Sequence, residues 1–332
     1  VGDAPVWVPS EGEVIVRARA VAVNEIDAIA GVVRQFVLPW LHYPTVLGSD
    51  VAGEVVAIGP SVSSLAIGDR VVGYAVGVEQ NRNDPAEGAF QTHVKLPSHM
   101  CARIPKSMSF QEACVLPLAL TTAAAGLFEK EHLSLELPTA EIRPRNETVL
   151  IFGGATSVGM NAIQLARNAG YSVLATASAT NFSLLEGLGA GVLVDYHEPD
   201  FVEQIIGHLS GGQLAGTLAV ANGSLRDAIT VNASDGVSGT RRIASAHPTP
   251  ATRIRGALAR RRQIQVSAIW GGSPKDTFVG PAMWNAFLPD ALANGRYTPA
   301  PPFEIAGHGL QAIPPALARV RKGVRAKKII IM

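Results

Sequence analysis

TVLIFGGATSVGMNAIQLARNAGYSVLATAS, Thr148 to Ser178, decides how this chain is to be read. Val149-Leu150-Ile151-Phe152 is an apolar run of strand length, and Gly153-Gly154 ends it where the backbone must turn sharply. From Ser157 to Asn168 the apolar positions Val158, Ala162, Ile163, Leu165 and Ala166 recur at helical spacing, with Gly170 where a helix C-cap commonly sits. Ser172 to Ala177 supplies a second strand. Strand, glycine turn, helix and strand make the layout of a dinucleotide-binding unit. Backbone N–H groups at the helix start, here around Ala155 to Val158, hold a pyrophosphate with help from the helix dipole. The GxGxxG spacing is partly met, because Gly154, Thr156 and Gly159 occupy the three glycine positions. A tight turn in an ordinary α/β protein explains the glycines alone; their place between a strand and a helix favours the nucleotide.

The end of the second strand bears on the cofactor. An acidic residue there accepts hydrogen bonds from the ribose 2′-hydroxyl of NAD. The chain instead reads Ser178-Ala179-Thr180-Asn181, small and polar, which leaves room and donors for a 2′-phosphate and favours NADPH. No Lys or Arg lies between Arg167 and Arg226 to hold that phosphate, so hydroxyls carry the expectation, with Tyr196 after the third apolar strand as a further one.

The 332 residues exceed one ordinary domain, and 47% hydrophobic against 17% charged residues leaves material for two large cores. A net charge of +1 gives no global field favouring nucleic acid. One local basic run, Arg253, Arg255 and Arg260-Arg261-Arg262, reads either as a solvated helix face or as a dock for an acidic carrier or partner. Cys101 and Cys114 have neither a disulfide framework nor thiolate metal spacing, which fits a reducing, cytoplasmic setting. No apolar run of about 18 residues and no signal-peptide pattern is read, so no membrane segment is expected.

Before the nucleotide unit, Val14 to Val16, Val51 to Ile58 and Arg70 to Val72 are short β-type runs punctuated by Gly, Pro and Asp. Ser109-Phe110-Gln111-Glu112 is a capping-box pattern opening an apolar segment that Pro117 should kink. After it, strands at Val192 to Val194, Gly216 to Val220, Arg241 to Ser245 and Ile264 to Ile269 alternate with helical stretches, as a doubly wound parallel sheet demands. Pro281 to Asn294 and Leu310 to Lys322 read as helices and Lys328 to Ile331 as a last strand.

This order of parts resembles the medium-chain dehydrogenase/reductase family. The resemblance rests on AVAVNEIDAIAG (Ala20 to Gly31), LGSDVAGEVVAIG (Leu47 to Gly59), IGDRVVG (Ile67 to Gly73), EGAFQTHV (Glu87 to Val94), the glycine unit and the ending Gly307 to Ile331. It implies an α/β fold in which a Rossmann doubly wound parallel sheet is inserted into a GroES-like β-rich catalytic domain. The expected boundaries are 1–120 for the first part of the catalytic domain, 121–267 for the Rossmann domain and 268–332 for the return.

Zinc-dependent alcohol dehydrogenases of that family carry Cys where Asn24 stands and His-Glu where Ser49-Asp50 stands, so the resemblance points to the zinc-free branch and to no metal. Within that branch Ala175 to Phe201 is most similar to fungal trans-acting enoyl reductases of polyketide pathways. The resemblance implies an NADPH-dependent reduction of an activated C=C bond, with a small or carrier-bound enoyl substrate and a polyketide synthase as partner. Quinone reduction is the alternative activity, and a non-redox nucleotide-binding partner of a synthase is the alternative of another class. Carried over residue by residue, Gly154, Ala155, Thr156, Ser157 and Val158 match the pyrophosphate turn. Ser178, Thr180, Asn181 and Tyr196 match the phosphate loop, Thr122 and Asn24 the reacting end, and Ile269 and Trp270 the nicotinamide side. Ile29 stands where the family carries a Lys or Tyr, which leaves water, the Thr122 hydroxyl or an unassigned group as proton source.

Overall fold

The structure is a computed structural model and describes residues 2–29, 31–247 and 249–332; the side chains at 31, 32 and 250 also lie outside the description. Ala30, inside the quoted phrase from Ala20 to Gly31, therefore carries no structural statement. The chain forms two compact units, Val1–Leu118 with Gly280–Met332, and Ala119–Val279.

The first unit is β-rich. Its strands are β1 (Glu13–Val23), β2 (Asp50–Ile58), β3 (Arg70–Tyr74), β4 (His93–Pro97) and β5 (Cys101–Arg103). The second unit contributes β6 (Thr148–Phe152), β7 (Ser172–Ala177), β8 (Val192–Asp195), β9 (Gln213–Ala219), β10 (Ser238–Gly239), β11 (Arg242–Ser245) and β12 (Gln265–Ala268). The chain then returns to the first unit with β13 (Phe303–Gly307) and β14 (Lys328–Ile331).

In the first sheet, of order β13-β14-β1-β2-β3-β5, the long β1 pairs with β2, β4 and β14, all antiparallel. Register shifts at Ile15/Val16 and Ala18/Ala20 bend β1 enough to serve three partners. Gly53 is required where β2 crosses β1, because a Cβ there would lie 2.1 Å from the Arg17 carbonyl oxygen. Val14, Val16, Val51, Val55, Val71 and Val94 fill the core, β-branched side chains suited to a pleated surface. Glu87, with no exposed surface, is paired with Arg82, which also reaches Glu13 at 2.8 Å.

The second sheet is parallel, in the order β12-β11-β9-β6-β7-β8 with β10 beside β9. Read from its other edge this is the 3-2-1-4-5-6 order of a Rossmann sheet, whose switch point lies between β6 and β9. Strands buried on both faces read as continuous apolar runs, which is why Val149 to Phe152 was legible as one.

One expectation is corrected and two further features differ in detail. Pro117 does not kink one helix: Phe110–Ala113, closed by the Ser109–Glu112 capping box, is followed by a separate helix Pro117–Phe128. The stretch Phe110–Phe128 does have the length and composition of a membrane span, although most of it is buried inside the protein. The return to the first unit starts at Gly280, later than 268, because Ser273 and Thr277 donate to Glu129 at 2.7 and 2.9 Å within the second unit.

Candidate active site

Thr176 pins the turn after β6, accepting from Gly153 N–H through its hydroxyl at 3.1 Å and from Gly154 N–H through its carbonyl at 2.8 Å. Gly153 has φ +90°, and a Cβ on it would sit 2.8 Å from the backbone nitrogen of Ala221, just past β9. The carboxyl ends of β6 and β9 therefore meet at the switch point, where open α/β sheets bind ligands. Thr156 caps the helix Ser157–Asn168: its Oγ1 accepts from Gly159 N–H at 2.9 Å and donates to the Gly153 carbonyl at 2.8 Å. That replaces the missing middle glycine with a capping hydroxyl. Gly159 must stay a glycine, since a Cβ would fall 2.2 Å from the Gly153 carbonyl oxygen.

With the Gly159 N–H taken by Thr156, Ser157 and Val158 remain in the first turn, where a helix offers its N–H groups no internal acceptor. Residues Ala155 to Val158 are half-buried while Gly153, Gly154 and Gly159 around them are buried, so the amides form a shallow accessible cradle. This arrangement fits a pyrophosphate.

Ser178, Thr180 and Asn181 lie beyond the end of β7, and Tyr196 just beyond β8, on the same edge of the sheet. The Ser178 and Thr180 hydroxyls are bonded to each other at 3.1 Å, and Tyr196 is half-exposed and tilted against His197. Sequence reasoning missed Asp195. Its carboxylate accepts from Ala179 N–H at 3.0 Å, closing the loop after β7 onto β8, and takes His197 N–H at 3.0 Å and Nδ1 at 2.7 Å. The His197 and Ala179 amides hold the Asp195 carboxyl below the usual carboxylate range. The signal was present as an acidic residue at a strand end, one strand further than the dinucleotide rule looks.

Ile269 and Trp270 follow β12. Ile269 is buried, its N–H bonded to the Ser245 carbonyl at 2.8 Å, and it packs so tightly on Gly126 that a Cβ there would lie 2.7 Å away. Trp270 is half-buried, with its carbonyl taken by Ser273. Thr122 is half-buried on the helix Pro117–Phe128.

Asn24 belongs to the first unit. The register of β1 places Ala22 opposite Asp50 and Val23 opposite Ile329, so Asn24, Asp50 and Lys328 converge at one sheet end. Asn24 Nδ2 donates to Asp50 Oδ2 at 3.0 Å, and the Lys328 ammonium donates to Asn24 Oδ1 and pairs with Asp50 Oδ2 at 3.0 Å. Asp50 Oδ1 also accepts from Leu118 N–H at 2.7 Å. All three side chains are buried. Asp27 accepts from Asn24 N–H at 2.9 Å, and its carboxyl is pushed up to about 7, chiefly by burial and further by the Asp50 charge. Ser49 Oγ lies beside this cluster in sequence, buried and without a hydrogen-bond partner. The donor set is thus an amide, a hydroxyl and a carboxylate already neutralised by an ammonium. Among the described residues no group of three His, Cys, Asp or Glu side chains converges as metal ligands do.

A Rossmann sheet with a glycine turn at its switch point, carried in one chain with a β-rich unit, defines a two-part protein of the dinucleotide-binding class. Residues 10–106 match the alcohol dehydrogenase GroES-like domain. Over 99% of its length the chain is 41% identical to dehydrogenase pigH of Monascus ruber, covering 94% of that protein. It is 31% identical to trans-enoyl reductase himH of Aspergillus japonicus, over 96% of this chain and 89% of that one. Its fold matches the CurK enoyl reductase crystal structure with a TM-score of 0.74 at 20% identity, covering 99% and 93% of the two chains. The chain belongs to the medium-chain dehydrogenase/reductase family and is an oxidoreductase of it.

Proposed function

We propose that the protein is a zinc-independent, NADPH-dependent reductase of an activated C=C bond, acting in trans on an enoyl thioester made by a polyketide synthase. The observation that carries the reading is the Lys328 ammonium seated on Asn24 and Asp50. Zinc in this family needs thiolate and imidazole ligands, and the residues here do not fit it: a cation already fills the site. Likeness to himH, a trans-enoyl reductase by name, over nearly the whole chain supports the enoyl class.

When bound, NADPH supplies a hydride to the β carbon of the substrate. The amides of Ala155, Ser157 and Val158 would hold the diphosphate, and the Ser178 and Thr180 hydroxyls would bind the 2′-phosphate. The Asp195 carboxylate stays ionised and is tied down by its bonds to Ala179 and His197. The Thr122 hydroxyl polarises the thioester carbonyl as negative charge develops there. Ile29 has no proton to give, which leaves water or the Thr122 hydroxyl as the proton source for the α carbon. Asn24 is a positioning residue, because both ends of its amide are held by Asp50 and Lys328.

The test is to follow the nicotinamide absorbance of NADPH with crotonyl pantetheine and, separately, with benzoquinone, before and after treatment with a zinc chelator. Chelator-resistant turnover of the thioester supports the reading. Turnover of the quinone alone makes the protein a quinone reductase, and NADPH binding without turnover of either makes it a nucleotide-binding partner of a synthase.

A further inference from the structure

The basic run of the sequence is placed by the fold in a groove of about 470 Å³ between the helices Leu225–Asn232 and Pro250–Ala259. Arg226 and Thr230 line one wall, Arg255 and Arg262 the other, and Ile229 and Leu258 lie between them. The spacing explains this: 226 and 230 are one turn apart on the first helix, 255 and 258 share a face of the second, and Arg262 ends the 3-10 turn Arg260–Arg262 that follows it. Leu258 is 54% exposed and Ile254, one turn before it, 64% exposed. Among the described residues no hydrogen bond or ion pair ties the guanidinium groups of Arg226, Arg255 and Arg262, and the Asp227 carboxyl lies within reach of the Arg226 charge.

Three exposed arginines, Arg226, Arg255 and Arg262, line the groove and no Asp or Glu among the described residues does, although the whole chain nets only +1. Arginine beside exposed aliphatic side chains is a residue type that anchors protein partners. A concave shape takes a convex ridge rather than a flat bilayer, and the aliphatic floor has no counterpart on a nucleic-acid backbone. The chemistry that matches is an amphipathic helix with acidic flanks and an apolar stripe.

We propose that this groove docks an acidic helix of the acyl carrier protein that presents the substrate, an inference resting on the enoyl-thioester reading. The groove supplies charge attraction and no group for the reaction, so it governs capture of the carrier rather than the chemical step. The experiment compares a crotonylated acyl carrier protein with crotonyl pantetheine, using the wild type and the triple variant Arg226→Glu/Arg255→Glu/Arg262→Glu. KM for the carrier-bound substrate should rise about tenfold or more, while kinetics with the pantetheine thioester and NADPH affinity stay unchanged. The Arg→Lys triple variant should keep most of the carrier affinity, and added salt should weaken it.

Unchanged carrier KM in the reversed-charge variant would overturn the proposal. So would equally tight binding of a DNA duplex or of anionic lipid vesicles in place of the carrier. Carrier binding, followed by fluorescence anisotropy, is read without turnover. If neither thioester is reduced but the wild type alone binds the carrier, the docking stands and the enoyl-reductase reading falls.

Discussion

The two sheet ends that concern function are built in opposite ways. At the switch point of the second unit, backbone amides are left half-open around Ala155 to Val158, and the side chains nearby are small or serve the turn itself. At the end of β1 in the first unit, Asn24, Asp50 and Lys328 spend their polar atoms on one another. The first leaves amides without an intrahelical acceptor. The second supplies its own partners. An amide cradle costs nothing to desolvate in the absence of ligand beyond what any helix start costs. A buried carboxylate, by contrast, demands a partner at all times, and Lys328 is that partner.

The comparison is broken most sharply at Lys328. Lys328→Met leaves the Asp50 carboxylate buried and unpaired, and should lower the unfolding free energy by about 3–5 kcal/mol in urea titrations. Asp50→Asn added to that variant should restore a large part of the loss. An unchanged urea midpoint for Lys328→Met would show that the cluster is not self-contained.

Gly159→Ala attacks the other end. Its Cβ meets backbone atoms of Gly153 and Gly154 and not a flexible side chain, so the turn must shift. NADPH affinity should fall about thirtyfold or more, near 2 kcal/mol, with only part of that lost in thermal stability. Equal affinity in calorimetric titrations would mean that the turn does not hold the diphosphate.

Asp27 gives the first unit a pH signature. Its carboxyl titrates near 7 in the fold against 3.8 as the ordinary value, because burial disfavours the charged form. Its contribution to stability is present in full below pH 4 and is lost as the pH rises through 7. Asp27→Asn should therefore be the more stable of the two at pH 8 relative to pH 5, by about 2–4 kcal/mol in the difference. Parallel pH profiles for the two proteins would contradict this. The smallest effect is expected at His197, whose imidazole is one of three hydrogen-bond partners of the Asp195 carboxylate beside the loop after β7. His197→Ala should lower the preference for NADPH over NADH about threefold, read from paired affinities.

How much of this was legible from the chain follows from the range of the interactions involved. The helix Ser157–Asn168, the strand Ser172–Ala177 and the capping box at Ser109 depend on neighbours a few residues away, and the structure places them where periodicity and caps put them. β4 was not read as a strand, since His93–Pro97 is short and carries Lys95, which is held by Asp84 at 2.8 Å. β13 hides behind Pro301 and Pro302. Lys328 was read only as the start of a strand, because its meeting with Asn24 joins residues 304 apart and exists only through the pairing of β14 with β1. The helix expected over Pro281 to Asn294 contains a π-helical stretch, Ala282–Phe287, whose Asn285 amide bonds the Cys101 carbonyl at 3.0 Å. No local pattern announces such a stretch.

The most direct measurement of the central claim is a paired equilibrium titration of the wild-type protein with NADPH and with NADH, followed by nicotinamide fluorescence. The account predicts saturable binding of both, tighter for NADPH, with the affinity for NADPH reduced in Gly159→Ala. Tighter binding of NADH, or binding of neither, would contradict it.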